Sequence, residues 1–278
     1  MLNIDKIINE VIILYLKQLH NIIIIFVLLL SFFTLNGCTN QDPPEPVKKE
    51  LLIYCGITMT RPMRKIADRI EQQENCIIKI IKNGSDNLYR SIKINQKGDL
   101  YLPGSESYIE KCLLEKLVTE TVSIGFNRAV FIVAKGNPLN ISGNLNSLLN
   151  PDYRIVLGTS DSCAIGKETK RVLTQAGIYE QVISQTLYLT SDSADLIKAI
   201  ADNKADLVVN WYATATWPGN REVMDVLLLD EDMVLPHKLI LGLLSFSRQP
   251  EIARRFMKLA SSPEGREIFA DYGFGGNR

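Results

Sequence analysis

Short apolar segments alternate with amphipathic ones along most of the chain from Leu51 onwards. The first apolar segment reads LLIYC, and the next segment, from about Pro62 to Gln73, carries its apolar residues at helical spacing. Alternation of this kind predicts an α/β fold in which helices cover doubly wound, mostly parallel sheets. The predicted strands are LLIYC, CIIKII, DLYLPG, YRIVLG, TLYLT and ADLVVNW, and the predicted helices cover about 62–73, 86–94, 166–175 and 193–202.

Two longer apolar segments interrupt this alternation. SIGFNRAVFIVAKGNP stands between the two series of strands and helices, and VLPHKLILGLLSF follows the second series. Each is long enough to cross from one sheet to another, so we expect two lobes with a cleft between them. Lobe 1 is predicted to comprise residues 50–127 and 238–278, and lobe 2 residues 128–237. Two C-terminal helices complete lobe 1, and Ser262 is the predicted N-cap of the second.

The N-terminal segment has the character of a targeting sequence. The apolar run from Asn21 to Leu35 ends in LNGC, which resembles the lipobox of bacterial lipoproteins, where a small residue precedes the lipidated cysteine. We therefore expect residues 1–37 to be a signal peptide, Cys38 to carry lipid, and the Pro-rich residues 38–49 to form a tether. The alternative is an uncleaved transmembrane anchor, which the length of the run disfavours because about 20 residues are needed to span. Both alternatives place the folded part outside the cytoplasm.

The composition limits the chemistry of the folded part. The 278 residues are 46% hydrophobic, and 31 Lys+Arg balance 31 Asp+Glu, so nucleic acid is not an expected partner. The cysteines Cys55, Cys76, Cys112 and Cys163 show no metal-ligand spacing, and no disulfide is assigned to them. Only His237 remains for a hydrolase site once the leader is removed. We expect neither an enzyme nor a bound metal or cofactor.

Four loops at predicted strand ends share one chemistry. Each offers a hydroxyl or a free backbone amide at the start of a helix, a set that binds an anion through neutral donors. The alternative interpretation is that Thr58, Ser85 and Ser193 only cap their helices, which Ser and Thr favour. The loops read Cys55-Gly56-Ile57-Thr58, Asn83-Gly84-Ser85, Cys163-Ala164-Ile165-Gly166 and Ser191-Asp192-Ser193.

In the order of these loops the chain resembles the molybdate-type solute-binding proteins of ABC importers, which have the type II periplasmic-binding-protein fold. The resemblance covers about Leu51 to Phe274. In YCGITMTRPMRKIA, Thr58 stands where that family has a ligand serine, and NGSDNLYRSI matches a second motif through Ser85 and Leu88. GDLYLPGS is similar to the DxFxS strand of the family. The resemblance thus implies a two-lobe clamshell with Thr58 and Ser85 as ligand-binding residues.

The resemblance also implies ligand-binding positions in lobe 2. Ala164-Ile165-Gly166 is similar to the PAG loop of the family, so Ile165 takes the role of its backbone donor. The next backbone donor falls on Ser193. The ligand tyrosine of the family falls on Trp211, with Tyr212 one residue later, and both remain candidates.

The resemblance implies a monomeric, lipid-tethered, extracytoplasmic protein that delivers a tetrahedral oxyanion, foremost molybdate or tungstate, to an ABC transporter permease. Asp86 and Asp192 leave an alternative open. A carboxylate turned into the cleft favours a protonated anion such as hydrogen phosphate and repels a dianion. We expect both acids to serve their helix starts instead. Sulfate, phosphate, a small carboxylate, or a role as the ligand-sensing subunit of a receptor remain alternatives.

Overall fold

The computed structural model describes residues 4–34, 48–229, 232 and 234–275. The chain divides into two compact units, Met1–Val47 and Lys48–Arg278. The first unit contains helix α1, Ile4–Thr34. Cys38 and most of the predicted tether lie outside the described residues, and its last residue, Lys49, already belongs to the first strand.

Helix α1 contains the apolar part of the N-terminal segment. Ile8–Val27 forms a 20-residue stretch with a mean hydropathy of 1.7, long and apolar enough to cross a membrane. A signal sequence near an N-terminus has the same properties. Length therefore does not disfavour a transmembrane anchor, contrary to the expectation from the sequence, because the helical apolar stretch begins well before Asn21.

In the second unit, the described strands form two five-stranded sheets of the same design. The first sheet has the strand order β2-β1-β3-β10-β4 and the second β7-β6-β8-β5-β9. In each sheet three neighbouring strands are parallel, and the strand that follows them pairs antiparallel on both sides. The strands are β1 (Lys49–Gly56), β2 (Cys76–Asn83), β3 (Leu100–Leu102), β4 (Val118–Asn127), β5 (Ala129–Ala134), β6 (Ile155–Gly158), β7 (Tyr188–Thr190), β8 (Leu207–Trp211), β9 (Met224–Leu227) and β10 (His237–Leu244).

Helices cover both faces of each sheet. We call the first sheet with α2, α3, α4, α10 and α11 lobe 1, and the second sheet with α5 to α9 lobe 2. The helices after α1 are α2 (Thr60–Glu74), α3 (Ser85–Asn95), α4 (Glu106–Leu114), α5 (Ala164–Gln175), α6 (Tyr179–Gln185), α7 (Ser193–Ala201), α8 (Tyr212–Ala215), α9 (Asn220–Val223), α10 (Pro250–Ser261) and α11 (Pro263–Phe269).

Strand β1 shows how the sequence produces these layers. Leu51, Ile53 and Cys55 point to one face and join the buried cluster formed with α2, α10 and α11. Tyr54 points to the opposite face and packs with Tyr89 and other residues of α3 and α4. Alternate residues of a strand face opposite sides, so an apolar segment such as LLIYC fits a sheet covered on both faces. The predicted α/β fold is confirmed, with two mixed sheets.

The chain crosses between the sheets twice. Only Arg128 separates β4 of the first sheet from β5 of the second. The second crossing precedes His237, the first residue of β10, which pairs with Asn127 at the end of β4. At the C-terminus, Ser262 caps α11 as predicted, because its hydroxyl oxygen accepts the backbone amide of Gly265 at 3.1 Å.

Candidate functional site

A small cavity lies where the carboxyl ends of the parallel strands of both lobes face each other. Such strand ends are where ligands bind in doubly wound sheets, because the next helices begin there. Lobe 1 contributes Ile57, Thr58, Asn83, Gly84, Ser85 and Gly104, and lobe 2 contributes Cys163, Ala164, Asp192, Ser193 and Trp211.

The two lobes touch around this cavity. The backbone amide of Asp86 donates to the carbonyl of Ser162 across the cleft at 3.2 Å. At the rim, Lys167 donates to the hydroxyl of Ser107 at 3.4 Å, and its ammonium lies 4.7 Å from the centre of the Tyr108 ring. The cavity that remains has a volume of 20 Å³. Sites for drug-sized ligands start at about 300 Å³, so this closed arrangement suits a far smaller occupant.

Lobe 1 brings two buried hydroxyls to the cavity. Ser85 is 3% exposed and Thr58 4%. Gly84, not Ser85, is the N-cap residue of α3, so the alternative interpretation of Ser85 as a helix cap does not hold. Its hydroxyl oxygen instead accepts the backbone amide of Gly104 at 3.0 Å, and its hydroxyl proton remains to be donated. The hydroxyl of Thr58 donates to the sulfur of Met59 at 2.7 Å, and must rotate to donate to a ligand.

In lobe 2 the start of helix α7 reaches the cavity at Ser193. Asp192, not Ser193, is the N-cap residue of α7, so the alternative interpretation of Ser193 as a cap does not hold either. Asp192 accepts the backbone amides of Ala194 at 2.7 Å and Asp195 at 3.1 Å. The Asp192 carboxylate therefore serves its helix start, as predicted, and Ser193 contributes to the cavity without capping α7.

The second acidic residue, Asp86, also serves its helix. It lies in the first turn of α3 and its carboxylate pairs with the guanidinium of Arg90 at 2.5 Å. An acid in the first turn interacts favourably with the helix dipole. Asp86 is not among the residues that line the cavity, so the expectation for its position is confirmed.

At the start of α5, Ala164 rather than Ile165 faces the cavity. Ile165 is fully buried and absent from the cavity lining. Burial raises the pKa of the Cys163 thiol to about 11. The backbone amides of Gly166 and Ile165 act in the opposite direction and lower this pKa, but burial has the larger effect. The resemblance assigns the donor role to the backbone amide of Ile165, and the neighbouring Ala164 is the residue at the start of α5 that lines the cavity.

The structure separates the two aromatic candidates. Trp211 is 2% exposed and lines the cavity, with its indole nitrogen beside Gly104. Tyr212 is 39% exposed and lines a different cleft, 380 Å³ in volume, together with Phe126 and Arg128. The indole N–H can donate a hydrogen bond but cannot accept one.

Sequence reasoning did not identify the residues that support Trp211. The ring of His237 meets the Trp211 ring edge-on, with 6.1 Å between centroids. His237 Nε2 lies 2.9 Å from a carboxylate oxygen of Glu168, which Arg171 also holds through two hydrogen bonds of 2.7 and 2.8 Å. Burial raises the pKa of Glu168, but the contacts with Arg171 and His237 outweigh burial and lower it overall. His237 was noticed only as a lone histidine, and nothing in the sequence pointed to its carboxylate partner.

Gly104 was also missed, although PG in DLYLPG marks a break in the chain. A Cβ atom at Gly104 would lie 3.1 Å from that of Ala164 in the opposite lobe. Asn127, fully buried at the end of β4, donates to the Gly104 carbonyl at 3.3 Å. A glycine at this position lets the two lobes approach closely.

The cavity lining carries almost no charged side chains. It contains no lysine, arginine or histidine, and its single acid, Asp192, accepts amides of its own helix. The other polar groups are hydroxyls, the Asn83 amide, the indole N–H and the amino ends of α5 and α7. Helix starts and neutral donors stabilise negative charge, so this arrangement favours a small anion. Within the described part of the chain, no group of three or more His, Cys, Asp and Glu side chains could hold a metal ion.

Comparison with known proteins places this arrangement in a family. The model of a family described as bacterial extracellular solute-binding protein matches residues 51–275. A relative from Haemophilus influenzae, named as a binding protein, is 26% identical over 226 residues, covering 81% of this chain and 90% of the relative.

Solved structures share the fold at low sequence identity. The periplasmic molybdate-binding protein of Azotobacter vinelandii gives a TM-score of 0.69 at 14% identity, covering 82% of this chain and 100% of that one. A periplasmic thiamin-binding protein gives a TM-score of 0.70 at 15% identity, covering 83% of this chain and 85% of that one. The names of these two proteins give different ligands, so the likeness establishes the type II periplasmic-binding fold alone. The prediction of a binding protein rather than an enzyme is confirmed by the family match: this chain belongs to the bacterial extracellular solute-binding protein family.

Proposed function

We propose that this protein is the solute-binding component of an ABC importer and closes its lobes on a tetrahedral oxyanion, foremost molybdate or tungstate. The observation that carries the proposal is the small interlobe cavity, lined by neutral donors and helix starts and by no cationic side chain. Thr58, Ser85, Ala164, Ser193 and Trp211 are the proposed ligand contacts.

The state of protonation of the ligand follows from the acceptors in the site. A fully deprotonated dianion needs donors only, whereas hydrogen phosphate also needs an acceptor for its proton. The Asp192 carboxylate is engaged by the amides of Ala194 and Asp195, and Asp86 pairs with Arg90 away from the lining. A dianion therefore meets no carboxylate directed at it, which supports molybdate, tungstate or sulfate over phosphate.

Size supports the same class of ligand. Gly84 and Gly104 lie at the contact between the lobes, and the space left in the cavity is 20 Å³. A compact tetrahedral anion suits such a site far better than an extended organic cation such as thiamin. Ligand binding would stabilise the closed state because donors from both lobes reach the anion only when the cleft is shut.

We propose further that the mature protein is tethered to the membrane by lipid on Cys38, after removal of residues 1–37, and that it hands its ligand to a membrane permease as a monomer. The sequence LNGC and the apolar stretch Ile8–Val27 support the leader. Mass spectrometry of the N-terminal peptide from membranes tests this proposal. We expect a diacylglyceryl group on Cys38 that is absent from a Cys38→Ser variant, and an intact leader in the wild type would replace the lipid tether by a transmembrane anchor.

A thermal-shift titration of residues 48–278, which form a compact unit, tests the ligand. Molybdate, tungstate, sulfate, phosphate and several small carboxylates are compared at equal ionic strength. Only a ligand that binds the native state preferentially raises the melting temperature. We expect large shifts with molybdate and tungstate. A shift with phosphate or a carboxylate alone would overturn the dianion proposal, and no shift with any anion would favour a different solute or a sensor role.

A further inference from the structure

The two most exposed large apolar side chains among the described residues of the second unit lie near the C-terminal ends of two neighbouring helices of lobe 1. Ile94, near the end of α3, is 80% exposed, and Leu114, the last residue of α4, is 85% exposed. Their sequence neighbours Lys93 and Glu115 form an ion pair of 3.1 Å, which brings the two helix ends together. Single exposed apolar residues are ordinary, whereas two at neighbouring helix ends suggest an interaction surface.

Lysines flank these two apolar residues in the sequence. Within residues 93–97 and 110–116 four lysines stand against two glutamates, although the whole chain has a net charge of zero. Glu115 is held by Lys93 and by the Tyr89 hydroxyl. We call the surface formed by these side chains the basic-apolar patch; it consists of Lys93, Ile94, Lys97, Lys111, Leu114 and Lys116, all of them exposed.

The patch lies at the end of lobe 1 remote from the cavity. Helices α3 and α4 both begin on the cavity side, after the carboxyl ends of β2 and β3, and run away from it. Strand β1 runs in the opposite sense and begins at Lys49. The chain therefore enters lobe 1 at the same end as the patch, where Lys48 and Lys49 are also exposed.

We propose that the basic-apolar patch docks lobe 1 on the surface of a membrane that contains anionic lipid. Ile94 and Leu114 would enter the headgroup region while the lysines face lipid phosphates, the pattern of a peripheral membrane contact. A tether that enters at the same end raises the local concentration of bilayer, so weak intrinsic affinity is enough. The docked lobe holds the cavity on its far side. The proposal concerns a surface that the ligand site does not use, and it stands apart from the identity of the ligand.

Vesicle sedimentation of residues 48–278 tests the proposal without the N-terminal anchor. The vesicles consist of phosphatidylcholine alone or of phosphatidylcholine and phosphatidylglycerol in equal amounts, at low ionic strength. We expect sedimentation with the anionic vesicles only, and release as salt approaches about 0.15 M. Each lysine near an anionic surface raises the partition coefficient about five-fold. The partition coefficient of the double variant K97Q/K116Q is therefore expected to be lower than that of the wild type by at least ten-fold.

Matched apolar variants distinguish binding through the basic-apolar patch from nonspecific adsorption to vesicles. I94S/L114S is expected to lower partition onto anionic vesicles by at least five-fold. The control L187S/L189S removes two exposed leucines at β7 of lobe 2, which are 56% and 48% exposed, and is expected to partition like the wild type.

Equal loss in the control, or no wild-type sedimentation with anionic vesicles, would overturn the proposal. Self-association in ultracentrifugation that I94S/L114S abolishes, with vesicle binding unchanged, would assign the patch to a second copy of the chain instead. An unchanged thermal shift with oxyanion shows that each variant keeps its ligand site.

Discussion

The two lobes have the same strand order but equip the shared cavity differently. Lobe 1 supplies side-chain hydroxyls from Thr58 and Ser85. Lobe 2 supplies the starts of α5 and α7, at Ala164 and Ser193, and the indole of Trp211. Topology thus determines where the loops meet, because parallel strands direct their carboxyl ends to one edge. A side-chain donor such as the Ser85 hydroxyl can be removed by substitution, whereas a backbone amide at the start of a helix cannot.

The lobes also differ in how each satisfies a buried acid. Asp99 of lobe 1 accepts four neutral donors, from the Leu52 amide at 2.7 Å, the Ser247 hydroxyl at 2.6 Å and the amides of Arg248 and Gln249 at 3.1 and 3.2 Å. Glu168 of lobe 2 has charged or chargeable neighbours, Arg171 and His237. Asp99 therefore ties together separate backbone segments of lobe 1, whereas Glu168 joins side chains of α5 in lobe 2 and of β10.

The largest expected effect is on the stability of lobe 1. Asp99→Ala leaves the partly buried amides of Leu52 and Arg248 without this acceptor, while Gln249 keeps the Ser247 hydroxyl, and the expected cost is about 3 kcal/mol in the free energy of unfolding. Urea denaturation measures the loss. Asp99→Asn keeps one acceptor oxygen and is expected to lose less. A loss below about 1 kcal/mol in Asp99→Ala would show that other groups or water satisfy these amides.

The next largest effect is expected from a substitution at the contact between the lobes. A Cβ atom at Gly84 would lie 2.5 Å from the Ser162 carbonyl oxygen of the other lobe and 3.0 Å from that of Ser191. Gly84→Ala is therefore expected to obstruct closure and weaken oxyanion binding by about 1 to 3 kcal/mol, the usual range for overpacking. Calorimetric titration measures the affinity. The melting temperature of the ligand-free variant serves as the control, since its lobes are free to open. Wild-type affinity would contradict the closed geometry as the binding state.

Removal of individual hydroxyls sharpens the comparison of donors. Ser85→Ala and Thr58→Val are each expected to weaken oxyanion binding by about 1 to 3 kcal/mol, because each removes a hydrogen bond to a charged group. Ser193→Ala keeps the backbone of α7 and is expected to cost less than about 0.5 kcal/mol. Calorimetry on the three variants distinguishes the lobes. Equal losses in Ser85→Ala and Ser193→Ala would mean that lobe 2 also binds through a side chain.

The sequence predicted the succession of elements well because each apolar segment matches one strand of a doubly covered sheet. CIIKII became β2 and ADLVVNW became β8, each within a few residues. It missed strand β9 and the helices α4, α6, α8 and α9, none of which was identified from its pattern. The family resemblance also located the cavity residues Thr58, Ser85, Ser193 and Trp211.

Single positions at the helix starts were harder to predict. Gly84 and Asp192, rather than Ser85 and Ser193, cap α3 and α7, and Ala164 lines the cavity next to Ile165. One residue in a helix start rotates a side chain by about 100°, which composition and spacing do not fix. The backbone angles of Gly84 and the packing of α5 against its strand decide these positions.

The smallest expected effect tests the charged network of lobe 2. The pKa of Glu168 lies below its ordinary value of 4.5, so its stabilising contribution is complete above that pH and is lost as pH falls through the folded-state pKa. Glu168→Gln is expected to reduce the free energy of unfolding by about 1 kcal/mol at neutral pH, with the difference from wild type shrinking below pH 4.5. Glu115→Gln, at an exposed ion pair of lobe 1, is the matched control and is expected to show a much weaker dependence on pH. Urea denaturation across the acid range measures both. A difference for Glu168→Gln that stays constant with pH would mean that packing, not charge, holds this residue beside His237.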